Sequence, residues 1–201
     1  MKTTSPFIKI LPNLVTGSRL FFALAFLILL YLANPHDLQK SDVSRLTWSF
    51  IMFVIAGITD ILDGPLARHW EVTSAFGRSF DPFVDKILIL GGFAMMAFKG
   101  QTLTGIAWWM VAVILGREAF VTVMRSLIEA QGKEFGATWA GKLKMFLQSF
   151  AIGVILIFLA YHQNKTWARV FRDVSIWLTV IFTALSALIY LPRMRQLKKG
   201  K

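Results

Sequence analysis

Four aspartates fall between positions 60 and 85 of a chain that is otherwise apolar on either side. Asp60 and Asp63 stand in Gly57-Ile58-Thr59-Asp60-Ile61-Leu62-Asp63-Gly64-Pro65-Leu66-Ala67-Arg68, and Asp81 and Asp85 follow in Gly77-Arg78-Ser79-Phe80-Asp81-Pro82-Phe83-Val84-Asp85. An ionised carboxylate near a bilayer is costly enough to mark a functional site. Four together repel one another unless cations hold them. With ~100° of rotation per helical residue, an i,i+3 pair and an i,i+4 pair each share one helix face. Two antiparallel helices closed by the gap 69–79 then aim both faces at one point. Carboxylates alone, with no cysteine in the chain and no nearby histidine set, suit a hard cation such as Mg²⁺ or Mn²⁺. Two such cations neutralise four carboxylates, the usual arrangement for in-line phosphoryl displacement. Gly64 and Gly77 let a bulky ligand approach the backbone, and Arg68 is a natural phosphate partner beside them. The competing explanation makes Asp60 and Asp63 helix-end caps and Asp81, before Pro82, an N-cap. The spacing of all four together favours the cation site.

The elements that must carry these residues are membrane helices. The 201 residues are 56% hydrophobic with 18 Phe, too apolar for an ordinary soluble domain of this length. Six apolar stretches, 14–33, 46–66, 80–98, 103–130, 142–161 and 174–191, each approach the ~20 residues of a spanning helix. Strand alternation is absent, which argues against a transmembrane barrel. The expected fold is all-α: a polytopic membrane protein of six transmembrane helices in one domain, 1–201. It comprises a short interfacial helix in 1–13, a six-helix core in 14–191 and a basic tail in 192–201. Arg19 interrupts the first apolar run, so that run is taken as an uncleaved helix rather than a secretory signal. Pro65 is expected to kink the second helix.

The net charge of +11 does not indicate nucleic acid, because the basic residues sit in short gaps and no aromatic residues interleave them. Anionic headgroups and phosphorylated substrates account for them better. With six spans, all Lys and Arg except Lys40, Arg45, Lys99, Lys165, Arg169 and Arg172 fall on the side that holds both termini. That side, which also carries the aspartates, is therefore expected to be cytoplasmic.

The pattern D-x-x-D-G-x-x-A-R-(x)8-G-x-x-x-D-x-x-x-D, filled here by Asp60, Asp63, Gly64, Ala67, Arg68, Gly77, Asp81 and Asp85, resembles that of the CDP-alcohol phosphotransferases. The resemblance implies a six-helix membrane enzyme that transfers a substituted phosphoryl group from a CDP-linked donor to an alcohol and releases CMP. It implies that Asp60, Asp63, Asp81 and Asp85 bind two divalent cations per subunit, Mg²⁺ or Mn²⁺, with Asp85 also the general base. Gly64, Ala67, Arg68 and Gly77, joined by Thr59, would line the cytidine-diphosphate pocket. A homodimer with one site per subunit is implied as well. Gly91, Gly92, Ala94 and Ala97 of the third helix offer a small-residue surface for it.

The acceptor alcohol depends on the remaining polar residues. Pro12-Asn13-Leu14-Val15-Thr16-Gly17-Ser18-Arg19, the run Gly116-Arg117-Glu118 with Arg125, and Gly141-Lys142-Leu143-Lys144 with Gln148 are similar to the bacterial phosphatidylglycerophosphate synthases. That likeness implies CDP-diacylglycerol as donor and the 1-hydroxyl of sn-glycerol 3-phosphate as nucleophile. A phosphorylated acceptor needs cations. Arg117 and Arg125 lie two turns apart on nearly one face, and Lys142 and Lys144 open the next helix. Arg117, Arg125 and Lys142 are the expected phosphate partners, with Lys144 and Arg19 behind them and Glu118 orienting an arginine. The alternative is a fringe of basic side chains snorkelling to the interface, which is favoured for Lys133. Three other activities stay open: a cardiolipin synthase using phosphatidylglycerol, an inositol-phosphate transferase, and a cation transporter. Residues 136–142 imitate a P-loop, but Leu143 stands where Ser or Thr is required.

Overall fold

The computed structural model describes the backbone of residues 6–70, 75–131 and 139–188. It describes the side chains of residues 17–60, 83–131, 139 and 141–188. No strand occurs among the described residues. The described residues form six long helices: α1 (Pro6–Leu32), α2 (Lys40–Trp70), α3 (Ala75–Lys99), α5 (Trp108–Glu129), α6 (Trp139–Ile157) and α7 (Thr166–Leu188). A single short turn, α4 (Gln101–Thr104), lies between α3 and α5, and α6 ends in one π-helical turn, Phe158–His162. α1 packs on α2 and α3, α6 on α2, α3 and α7, and α5 on α3 and α7.

The bundle is apolar on both sides of its wall. Phe26, Leu30, Phe93, Met96, Ile152 and Leu156 are fully buried, while Phe21, Ile28, Leu115, Val123, Phe146 and Leu178 are at least half exposed on the outside. An outer surface of that kind needs lipid rather than water around it. Lys40–Asp60, Gly141–His162 and Thr166–Leu188 are long and apolar enough to cross a membrane, and Gly17–Leu32 is a shorter apolar stretch. The chain is thus a polytopic all-α membrane protein.

Lipid supplies no hydrophobic drive between helices, so close packing and buried polar contacts hold them. Gly91 and Gly92 serve that packing inside the subunit, which corrects their expected place on a dimer surface. A Cβ on Gly91 would stand 3.0 Å from Leu27 Cδ1 of α1, and one on Gly92 would stand 3.1 Å from Ile152 Cδ1 of α6. Ser49 Oγ donates to the Phe26 carbonyl across α1 and α2 at 3.1 Å.

The end of the bundle away from the aspartates is closed by polar knots. Asp42, in the first turn of α2, accepts from the Asn34 and Gln39 amides, reaching back to its own helix start as a capping box does. Lys99 at the end of α3 donates to the Tyr31 and Ala33 carbonyls, each at 2.6 Å. The fourth apolar stretch, expected to be continuous, breaks at Gly105, whose φ of 80° is left-handed. A Cβ there would meet Ile176 Cδ1 at 2.7 Å. α5 therefore begins only at Trp108.

Two boundaries bear on the site. α1 runs without a break from Pro6, so residues 6–13 continue the first helix instead of forming a separate one. Their side chains, residues 1–5 and the tail beyond 188 lie outside the described residues. α3 begins at Ala75, well before Asp81, which removes the N-cap explanation for that residue. Helix α2 likewise continues through Asp60, Asp63 and Pro65 to Trp70.

Candidate active site

Asp60 near the end of α2 and Asp85 in α3 meet across a residue of α1. Arg19 Nη1 lies 2.9 Å from Asp60 Oδ1 and 3.3 Å from Asp85 Oδ1. The Arg19 side chain is 1% exposed, whereas the two carboxylates are 36% and 29% exposed and remain reachable. The two helices therefore aim Asp60 and Asp85 at one point, as the spacing requires. Both helices are unbroken through their aspartate pairs. The side chains of Asp63, Ala67, Arg68 and Asp81, and the surroundings of Gly64 and Gly77, lie outside the described residues. Among the described residues, no three His, Asp or Glu side chains gather closely enough to hold a metal ion. Thr59 Oγ1 donates to the Ala56 carbonyl of its own helix at 2.8 Å.

Asp85 also lines a cavity of about 430 Å³, within the ordinary range for small-ligand sites. Its wall includes Lys86 of α3, Arg117, Glu118, Thr122 and Arg125 of α5, and Lys142, Lys144 and Gln148 of α6. Four of the five cations expected to hold the acceptor phosphate thus share one cavity with the expected base. The fifth, Arg19, is placed instead on Asp60 and Asp85. Helical spacing explains the convergence: Arg117, Val121 and Arg125 repeat every four residues along α5, as Lys144 and Gln148 do along α6. Lys86, Arg117, Arg125, Lys142 and Lys144 outnumber the carboxylates Asp85 and Glu118, so the lining of the cavity is net positive.

The cationic wall is held from behind. Glu118 Oε1 accepts from Arg117 Nη1 at 3.3 Å and forms an ion pair with Lys144 Nζ. Arg117 and Lys144 are both buried, so this shared carboxylate offsets the desolvation of two charges. Arg117 Nε donates to Ser186 Oγ at 2.9 Å, and Lys86 Nζ to Thr122 Oγ1 at 3.2 Å. Gln148 Nε2 reaches Thr183 Oγ1 at 3.4 Å, and Thr179 Oγ1 donates to the Leu147 carbonyl at 3.0 Å. Sequence reasoning gave no role to Lys86, Thr122, Thr183 or Ser186. For α7 a signal existed: Ser175, Thr179, Thr183 and Ser186 form a polar stripe at helical spacing on an apolar helix, and all four are buried.

Residues 9–185 match the CDP-alcohol phosphatidyltransferase family. The chain belongs to that family. Among similar members is the Mycobacterium tuberculosis protein named "Probable phosphatidylglycerophosphate synthase", 36% identical over 171 residues, which are 85% of this chain and 77% of that one. A Bacillus subtilis member named CDP-diacylglycerol–glycerol-3-phosphate 3-phosphatidyltransferase is 30% identical over 187 residues, covering 90% of this chain and 92% of the relative. A Rickettsia typhi member of the same name is 29% identical over 182 residues, with 90% and 95% covered. The family match spans α1 to α7 and so includes the aspartates, the cationic cavity and most of the polar stripe behind it.

Proposed function

We propose that this CDP-alcohol phosphatidyltransferase moves the phosphatidyl group of CDP-diacylglycerol to sn-glycerol 3-phosphate, giving phosphatidylglycerophosphate and CMP. One observation carries the choice of acceptor. Asp85 lines the same cavity as Arg117, Arg125, Lys142 and Lys144, so a carboxylate and a cationic wall face one small space. Glycerol 3-phosphate carries a hydroxyl and a dianionic phosphate on one short skeleton, and it matches both. Phosphatidylglycerol, with a single charge and two acyl chains, makes little use of so many cations.

Asp60, Asp63, Asp81 and Asp85 would hold two divalent cations per subunit, Mg²⁺ or Mn²⁺. The all-oxygen donor set and the meeting of Asp60 and Asp85 fit them. When bound, such cations neutralise the donor's pyrophosphate and the charge that grows on the leaving CMP. Asp85 accepts the proton of the 1-hydroxyl as its oxygen attacks the phosphatidyl phosphorus. The bond from that phosphorus to the CMP oxygen breaks, and CMP departs with the electron pair. Arg117, Lys144 and their neighbours keep the acceptor phosphate still during this displacement. Thr59, Gly64, Ala67, Arg68 and Gly77 would line the cytidine-diphosphate pocket. We place the site and both termini on the cytoplasmic face, since most Lys and Arg gather there. We also propose a homodimer with one site per subunit, which native mass measurement in mild detergent would contradict by finding only monomer.

The test is an acceptor panel. Purified protein, CDP-diacylglycerol and Mg²⁺ or Mn²⁺ are mixed with glycerol 3-phosphate, phosphatidylglycerol or inositol 1-phosphate, and the lipid product is identified by mass. Glycerol 3-phosphate should drive CMP release and appear in the lipid. Product only with phosphatidylglycerol would make the chain a cardiolipin synthase, and no acceptor-dependent CMP release would refute the enzymatic assignment.

A further inference from the structure

Arg19 is the most deeply buried charged side chain among the described residues, and its place is specific. One nitrogen of its guanidinium touches oxygens of Asp60 and Asp85, on two different helices, at 2.9 and 3.3 Å. It is not on the wall of the cationic cavity. A guanidinium keeps its charge at any working pH, so this contact is permanent competition for carboxylate charge. A divalent cation coordinates carboxylate oxygens at about 2.0–2.6 Å and needs them undistracted. Arg19 and a cation would draw on the charge of the same two carboxylates.

We propose that Arg19 is a built-in competitor that sets the affinity of the aspartate site for divalent cations. Resting on the assignment of Asp60 and Asp85 as metal ligands, it extends that assignment to a residue outside the aspartate motif. Arg19 holds α2 and α3 together through the two carboxylates and weakens cation binding to a level from which cations and product can leave. Arg19 is thus a positioning residue for the metals and no part of the acceptor phosphate site.

The experiment measures Mn²⁺ binding to the full-length protein in detergent, by electron paramagnetic resonance titration, with melting followed in parallel. Wild type, Arg19→Gln, Arg19→Lys and Asp60→Asn are compared, without lipid donor. Arg19→Gln should bind Mn²⁺ about tenfold or more tightly, the size of one lost charge-assisted hydrogen bond. It should melt lower than wild type in chelator, where the carboxylates lose their cation, and recover when Mn²⁺ is added. Arg19→Lys, a point charge without the planar fork, should shift affinity in the same direction but less. A merely structural arginine predicts the opposite, because loosening the site lowers affinity. Equal or weaker Mn²⁺ binding in both variants would overturn the proposal. If Arg19→Gln fails to fold, Arg19→Lys decides by the same criterion. Wild type showing no Asp60-dependent Mn²⁺ binding would overturn the metal assignment and this proposal together, a result distinct from tight wild-type binding that Arg19 leaves unchanged.

Discussion

Glu118→Gln isolates the electrostatics of the cationic wall. Glu118 Oε1 is shared by Arg117 Nη1 at 3.3 Å and by Lys144 Nζ, and both cations have side chains only 6% exposed. The substitution keeps size and removes charge. Two buried cations then lose the carboxylate they share, and breaking a buried pair in this way costs about 3–5 kcal/mol. Glu118 is itself 18% exposed and borders a cavity open to solvent, which places the expected loss near the lower limit, about 3 kcal/mol. That is roughly two orders of magnitude in the folded-to-unfolded ratio, readable as a lower melting temperature in mild detergent. An added dianion replaces the missing charge. Glycerol 3-phosphate, or inorganic phosphate as a poorer mimic, should therefore raise the melting temperature of Glu118→Gln more than that of wild type. The acceptor's apparent affinity should rise while kcat falls, because Lys144 and Arg117 are no longer held in register. A variant as stable as wild type that gains no more from phosphate would refute the assignment of Glu118 as the shared counter-ion.

Three further outcomes follow from the same geometry. Asp60→Asn, Asp63→Asn and Asp81→Asn should each abolish turnover in a folded, membrane-inserted protein, and excess chelator should silence wild type until Mg²⁺ or Mn²⁺ is restored; full activity in chelator would refute the metal assignment. Asp85→Asn should lose kcat by about 10²-fold or more, with donor KM changed less; near-normal kcat would exclude it as the base. Gly105→Ala, far from the site, places a Cβ 2.7 Å from Ile176 Cδ1 at a φ of 80°. It should destabilise by about 1–3 kcal/mol, measured as a lower melting temperature with kcat unchanged at permissive temperature.

How far the sequence carries depends on whether spacing or packing decides a feature. The meeting of Asp60 with Asp85 was legible because two antiparallel helices joined by a short connection bring those positions together. The convergence of Arg117 and Arg125 with Lys142 and Lys144 was legible for the same reason, given short connections and antiparallel helices. Arg19 was assigned to the acceptor because its charge suggested a phosphate. Its contact with Asp60 and Asp85 depends on how α1 packs against α2 and α3, which no local pattern encodes. Gly91 and Gly92 were taken for a subunit surface on composition, yet small residues serve any close helix contact, and here the partners are Leu27, Phe26 and Ile152 of the same chain. The break at Gly105 was hidden inside an apolar run, because hydropathy does not report backbone conformation. The contributions of Ser186 and Thr183 were the most recoverable omission, since their stripe on α7 repeats at helical spacing.

The central claim is that the cavity beside Asp85 holds the phosphate of the acceptor and not of the lipid donor. Its most direct test is the separation of Michaelis constants in Arg117→Gln and Lys142→Gln, each assayed with glycerol 3-phosphate and CDP-diacylglycerol varied in turn. The account predicts an acceptor KM raised about tenfold or more, since a charge-assisted hydrogen bond contributes about 1.5–3 kcal/mol. The donor KM should move much less, because in the proposed reaction its pyrophosphate is held by the aspartate site and Arg68. A donor KM that rises while the acceptor KM stays unchanged would contradict the account and assign the cationic cavity to CDP-diacylglycerol.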